Sequence, residues 1–140
     1  MNVLQVKREN WNCTARHWLE PACDESFPIH DLEAECGAGA CALFNVYQDA
    51  DHIASFVLRI DGGYGDREMV VVAAGGYLAY GSLYKLITPY VEEQARANGC
   101  SYLRGHTKRP GVGRLMEKAG WEQSEIVYRK EVPHGRQVIQ

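Results

Sequence analysis

Met69-Val70-Val71-Val72-Ala73-Ala74 is an unbroken apolar run, and shortly after it the pattern changes period. Leu83, Leu86, Ile87, Tyr90, Val91 and Ala95 recur at i, i+3, i+4, i+7, i+8 and i+12. The run predicts a strand covered on both faces, and the recurrence predicts an amphipathic helix. Asn98-Gly99 stops that helix, because glycine takes the left-handed conformation a helix end needs. Tyr102 to Thr107 reads as the next strand. A strand, a helix and a strand in succession imply a right-handed crossover and a partly parallel sheet. Pro89 falls inside the helical stretch, where it predicts a kink or a split.

Working towards the N-terminus, Ile53 to Ile60 and Cys41 to Tyr47 are strand-like, separated by the turn residues Asp49, Ala50 and Asp51. Asp61-Gly62-Gly63-Tyr64-Gly65-Asp66 is a loop. Val3 to Lys7 reads as a short first strand. Asn10 is a candidate cap for a helix whose apolar face is Trp11, Ala15, Trp18, Leu19 and Ala22, ended by Pro21 and the segment Asp24 to Pro28. His30 to Cys36 is a second short helix closed by Gly37. Towards the C-terminus, Val112, Leu115, Met116 and Ala119 make a short helix ended by Gly120, and Ile126 to Val132 reads as a final strand. The order is β-α-α-β-β-β-α-β-α-β, with no repeat, low-complexity tract or linker. Residues 1–140 are expected to form one α/β domain of the α+β type.

Composition agrees with that reading. The chain has 140 residues, 46% hydrophobic and 24% charged, enough for a core without staples. A net charge of -3 gives no global argument for nucleic acid or a membrane surface. No apolar run is long enough for a membrane span, and the N-terminus lacks a signal-peptide pattern, so a cytoplasmic location is expected. The five cysteines, Cys13, Cys23, Cys36, Cys41 and Cys100, form no CxxC and suggest reduced thiols. Cys13, His17 and Cys23 lack the tight ligand pairs of a zinc site, and no metal is expected.

Gln94-Ala95-Arg96-Ala97-Asn98-Gly99-Cys100 resembles the end of the cofactor helix in the GNAT superfamily of acyl-CoA N-acyltransferases. Leu115-Met116-Glu117-Lys118-Ala119-Gly120-Trp121 resembles that family's "lYeklGF" segment. Gly105 to Trp121, with Arg109-Pro110-Gly111 in it, is more similar to small GNAT-like proteins of tailed bacteriophages. The resemblance covers roughly residues 67–132. It implies a mixed sheet of six to seven strands flanked by helices, with acetyl-CoA as cofactor and an amine as acceptor.

The resemblance also implies a site. In the family one strand splays from its neighbour and its free backbone pairs with the pantetheine arm, while the following loop turns N–H groups onto the pyrophosphate. Residue by residue, this puts Val72, Ala73 and Ala74 on the splayed strand, and Gly81, Ser82, Leu83 and Tyr84 at the phosphates. The family loop R/Q-x-x-G-x-G/A falls on Ala79-Tyr80-Gly81-Ser82-Leu83-Tyr84, so its basic or amide residue and both its glycines are replaced. Gly75, Gly76, Gly81 and Ser82 leave room for a differently shaped anion nest. The bland alternative is an ordinary glycine-containing strand-to-helix loop.

The family's proton donor to the thiolate, a tyrosine, is Met116 here, which cannot donate. Tyr77, Tyr80 or Tyr84 could substitute, and Tyr84 is the candidate; such a tyrosine is more often a packing residue with its hydroxyl at the surface. Glu68 falls at the family's general-base position and could take a proton from an ammonium, directly or through water, or be simply a solvated strand end. Arg104, His106, Lys108, Arg109, Arg114 and Lys118 form a basic cluster relieved only by Glu117. Lys108, Arg109 and Arg114, around Pro110-Gly111, are its candidate anion-binding residues, for cofactor phosphates or an acidic protein partner, with a solvated face as the plain reading. Without interleaved aromatics the cluster does not favour nucleic acid. Two functions follow from the resemblance: an N-acyltransferase using acetyl-CoA, or a catalytically inactive GNAT-fold phage protein, in the host cytoplasm, that binds a host or particle protein.

Overall fold

The computed structural model describes residues 4–63, 66–77, 80–107 and 110–133. Its elements are β1 (Leu4–Arg8), α1 (Cys13–Leu19), a 3-10 turn (Glu20–Ala22), α2 (Ile29–Gly37), β2 (Ala42–Gln48), β3 (Asp51–Asp61), β4 (Glu68–Gly76), α3 (Tyr80–Ala97), β5 (Tyr102–Gly105) and α4 (Pro110–Lys118). The sheet order is β1-β2-β3-β4-β5, antiparallel as far as β4. β5 runs parallel to β4, with α3 as the crossover the period change predicts.

Helices cover both faces of the sheet, which is why β4 needs no polar alternation. On one face α3 buries Leu83, Ile87, Val91 and Ala95 against Phe44, Val46, Phe56, Leu58, Met69, Val71 and Ala74. Phe44 and Phe56 are cross-strand partners whose rings stack at 5.3 Å. On the other face Ala15, Leu19, Ile29 and Leu32 from α1 and α2 pack on Leu43, Val57 and Ala73.

Both glycine stops act as expected. After α3, Gly99 (φ 70°) donates to Arg96 O and Cys100 N–H donates to Ala95 O at 2.8 Å. After α4, Gly120 (φ 96°) donates to Glu117 O and Trp121 N–H to Met116 O. These are paired 5→2 and 6→1 bonds, and in each case the residue after the glycine turns back onto the core.

Several expectations are corrected. Among the described residues the sheet has five strands, not six to seven: Ile126 to Val132 lies in a stretch without regular structure, and Ile126, Val127, Tyr128 and Val132 are exposed. β-forming residues make a strand only where they find an edge and a face to cover. Asn12, not Asn10, caps α1, its Oδ1 accepting from Ala15 N at 2.8 Å. Pro89 does not split α3, which runs through it with the ring on the exposed side. Gly75 and Gly76 belong to β4, not to a phosphate loop.

Candidate active site

The site begins where β4 leaves β5. Their ladder runs from Glu68↔Tyr102 to Val71↔Gly105 and stops, while β4 continues to Gly76. On its other side β4 pairs with β3 throughout, but Val71 faces Leu58 and Ala73 faces Val57, so Val72 is an extra residue. A bulge bends its strand and raises the local twist. This one falls directly after the last β4–β5 rung, where β5 ends at Gly105 and β4 runs on alone, leaving a wedge with that rung at its vertex. The edge from Val72 to Gly76 has no strand beside it among the described residues.

Each wall of the wedge has an identifiable cause. α1 ends against β4 so closely that a Cβ on Gly75 would lie 1.9 Å from Trp18 O, which accounts for glycine there. Gly76 is excluded from a side chain by Ala54 Cβ at 2.5 Å. Beneath the vertex on the α3 side, Met116 Cε and the Trp121 ring lie 3.0 and 3.6 Å from where a Gly105 Cβ would stand. Tyr84 is buried and meets Trp121 edge-on, centroids 6.1 Å apart. Trp121 Nε1 donates to Thr88 Oγ1 at 3.1 Å, and Thr88 Oγ1 donates to Tyr84 O at 2.5 Å.

On the α1–α2 side of the vertex lies an ion cluster. Arg59 Nε and an Arg59 guanidinium NH₂ donate to the two oxygens of Asp61 at 2.7 and 3.0 Å. Arg104 reaches Asp61 Oδ2 at 2.6 Å and Glu68 Oε2 at 3.5 Å. The Arg59 fork, helped by Arg104, holds the Asp61 carboxyl below its ordinary range, and Asp61 raises Arg59 in turn. These side chains surround Val70, which is 1% exposed, and stitch β3 to β5 across β4.

The expected site residues separate as follows. Glu68 stands at the start of β4, half-buried in the ion cluster. Val72 is the bulge, half-buried; Ala73 and Ala74 are buried in opposite cores. Gly81 and Ser82 lie in the first turn of α3, with Ser82 exposed and Leu83 in the α3 core. Tyr77 is 79% exposed at the end of β4. Arg114 is exposed on α4, while Lys108 and Arg109 lie outside the described residues, as does Ala79. Arg104 leaves the basic cluster, since both its ion pairs are to carboxylates of the sheet. Among the described residues no group of three His, Cys, Asp or Glu is placed to hold a metal ion, and no helix is long and apolar enough to cross a membrane.

Sequence reasoning missed two groups. One is the ion cluster, where Arg59 and Asp61 were read only as strand end and loop. The other is a chain of hydrogen bonds on β2 and β3. Ser55 Oγ donates to Asn45 Oδ1 at 2.8 Å, Asn45 Nδ2 donates to Glu9 Oε1 at 3.0 Å, and Tyr47 donates to the same oxygen at 2.6 Å. With its proton so used, Ser55 Oγ accepts from His52 Nε2, 2.8 Å away, which fixes the imidazole tautomer. Burial lowers the His52 pKa, and the Tyr47 bond, above all, lowers that of Glu9. The available signal was Asn45 and Ser55, two polar residues inside apolar strands; both are 0% exposed. Burial also lifts the Cys36 thiol to about 11 and Cys41 to about 12, so neither is a nucleophile.

No family model matches the sequence, and no curated protein sequence matches it. Solved structures do match its fold. The aminoglycoside N-acetyltransferase AAC(6')-Iy, in complex with CoA, superimposes with a TM-score of 0.69 over 94% of this chain and 97% of that chain, at 16% identity. An acetyltransferase of Trypanosoma brucei gives 0.67 over 93% and 100%, at 15% identity. Glucosamine-6-phosphate N-acetyltransferase from Arabidopsis thaliana gives 0.63 over 92% and 98%, at 10% identity. None of these bears on the phage resemblance. At such identities the likeness is one of fold, and the fold of this chain is that of the GNAT acetyltransferases.

Proposed function

We propose that the chain is an N-acyltransferase that moves an acetyl group from acetyl-CoA to an amine. The observation that carries this reading is the wedge beyond the last β4–β5 rung, with the bulge at Val72 beside it. Its free strand edge, Val72 to Gly76, suits an extended amide-bearing arm, which can pair with it as a further strand would. The N-terminus of α3 stands beyond the same edge, and its first N–H groups favour a phosphate. Acetyl-CoA, when bound, supplies an activated thioester.

The chain's own residues then have definite tasks. Backbone N–H groups beside the vertex orient and polarise the reacting carbonyl. Glu68 takes the proton that an ammonium must lose before its nitrogen can attack, directly or through water. Arg104, one rung from the vertex, pairs with that carboxylate at 3.5 Å. Tyr84, on the α3 side of the vertex, is the phenol assigned to return a proton to the departing sulfur, since Met116 has none to give. The replaced loop glycines leave the phosphates fewer close contacts, so binding is weak. Arg114, with Lys108 and Arg109, supplies the charge that draws the phosphates in.

An acetylation assay that follows CoA release over a panel of amines tests the reading. Turnover that falls by about 100-fold in Glu68→Gln supports it. Met116 at the family's donor position is the observation that favours a second reading, a non-catalytic GNAT-fold protein that binds a protein partner. That reading expects no turnover with any amine.

A further inference from the structure

α3 has one broken rung in its backbone ladder, and it lies just after Tyr84. Pro89 has no N–H, so the helical bond from residue 89 back to Lys85 O is missing. A side-chain pair crosses that place. Thr88 Oγ1 donates to Tyr84 O at 2.5 Å, and with its proton so used it accepts from Trp121 Nε1 at 3.1 Å. Thr88 is 8% exposed, so little water competes for either bond.

Trp121 brings this clamp from another part of the fold. Its main-chain N–H donates to Met116 O at 3.0 Å, at the end of α4. Its ring lies 3.6 Å from where a Gly105 Cβ would stand, and Gly105 is the β5 half of the last rung. The same ring meets Tyr84 edge-on, with centroids 6.1 Å apart. One indole thus touches the vertex, the phenol ring and, through Thr88, the main chain of α3 at Tyr84. A phenylalanine in its place would fill the space but donate nothing.

We propose that Trp121 and Thr88 are positioning residues for Tyr84: the indole spaces the phenol from the vertex, and its bond to Thr88 holds the turn of α3 that carries it. The inference rests on the acyl-transfer reading, which gives Tyr84 its task. A phenol that returns a proton to sulfur must stand within hydrogen-bond reach of it, and a displacement of about 1 Å costs up to about 100-fold in rate. The clamp acts at the one point where the ladder of α3 cannot hold that position alone.

Three conservative variants separate the parts. Trp121→Phe keeps a ring and loses the N–H. Thr88→Val keeps the shape and loses the hydroxyl, and Thr88→Ser keeps the hydroxyl. In the acetylation assay the first two should lower kcat by about tenfold, with KM for acetyl-CoA changed by less than about twofold, and Thr88→Ser should restore the rate. In a Tyr84→Phe background, Trp121→Phe should have no further effect, because its route to the reaction is gone. Additive losses, or a raised KM with kcat unchanged, overturn the positioning role. Hydrogen exchange tests the clamp without substrate. Amides of residues 84–88 should exchange about tenfold faster in Trp121→Phe and Thr88→Val, while those of residues 91–97 keep their rates. Equal acceleration throughout α3, or none, overturns the clamp. No turnover in the unmutated chain with any amine overturns the acyl-transfer reading and the positioning role with it, whereas the exchange result judges the clamp by itself.

Discussion

Val71 and Gly105 form the last rung between β4 and β5, and the residue after Val71 is the one that β3 leaves without a partner. β5 ends at that rung, and the bulge bends β4 at the same place. The wedge therefore has a fixed vertex. Arg104 stands one rung from it on one face and reaches back to Glu68 at the start of the ladder; Tyr84, Trp121 and Met116 lie on the other face.

If Glu68 is the base, its charge and not its bulk matters. Glu68→Gln keeps the shape and should reduce turnover by roughly 100-fold or more with little change in stability. Steady-state kinetics beside a thermal melt check this. Unchanged turnover would remove Glu68 from the mechanism.

Gly75 should tolerate no side chain. A Cβ there would meet Trp18 O at 1.9 Å, a backbone atom that moves only if α1 moves. Gly75→Ala is expected to cost about 2–3 kcal/mol or more, whereas Gly105→Ala, opposed at 3.0 Å by the flexible end of Met116, should cost under about 1.5 kcal/mol. Urea unfolding of the two variants gives the comparison, and equal losses would contradict the α1 contact.

The ion cluster should make the fold acid-sensitive. The folded state depresses Asp61, chiefly through the Arg59 hydrogen bonds. A carboxylate depressed in the fold contributes stability above its unfolded value, and loses it as pH falls through the folded one. For Asp61 that window lies below about pH 4. Arg59→Met should therefore cost about 1 kcal/mol at neutral pH, since both side chains are about one-third exposed, and progressively less as the medium approaches about pH 2. Thermal melts across that range check it; a penalty that grows on acidification would be the wrong sign.

Much of this was legible in the sequence because it is local. The α3 stripe, the apolar run of β4 and the stops at Gly99 and Gly120 each rest on residues a few positions apart, and each holds. The resemblance implies Glu68, Val72 and Tyr84 as parts of one site; in the fold Val72 follows the last β4–β5 rung, and Glu68 stands at the other end of that ladder. What escaped depends on register. The bulge at Val72 exists only once β3 and β4 are aligned, and Asp61 meets Arg104 across 43 residues. Ile126 to Val132 has the composition of a strand, but a strand also needs a neighbour, and composition does not name one.

The central claim is that acetyl-CoA binds in the wedge. Calorimetric titration of the unmutated chain with acetyl-CoA tests it most directly. The account expects saturable one-to-one binding with Kd between about 10 µM and 1 mM, or about 4 to 7 kcal/mol, weak because the loop lacks its glycines and its basic or amide residue. No saturable heat at millimolar acetyl-CoA would contradict it.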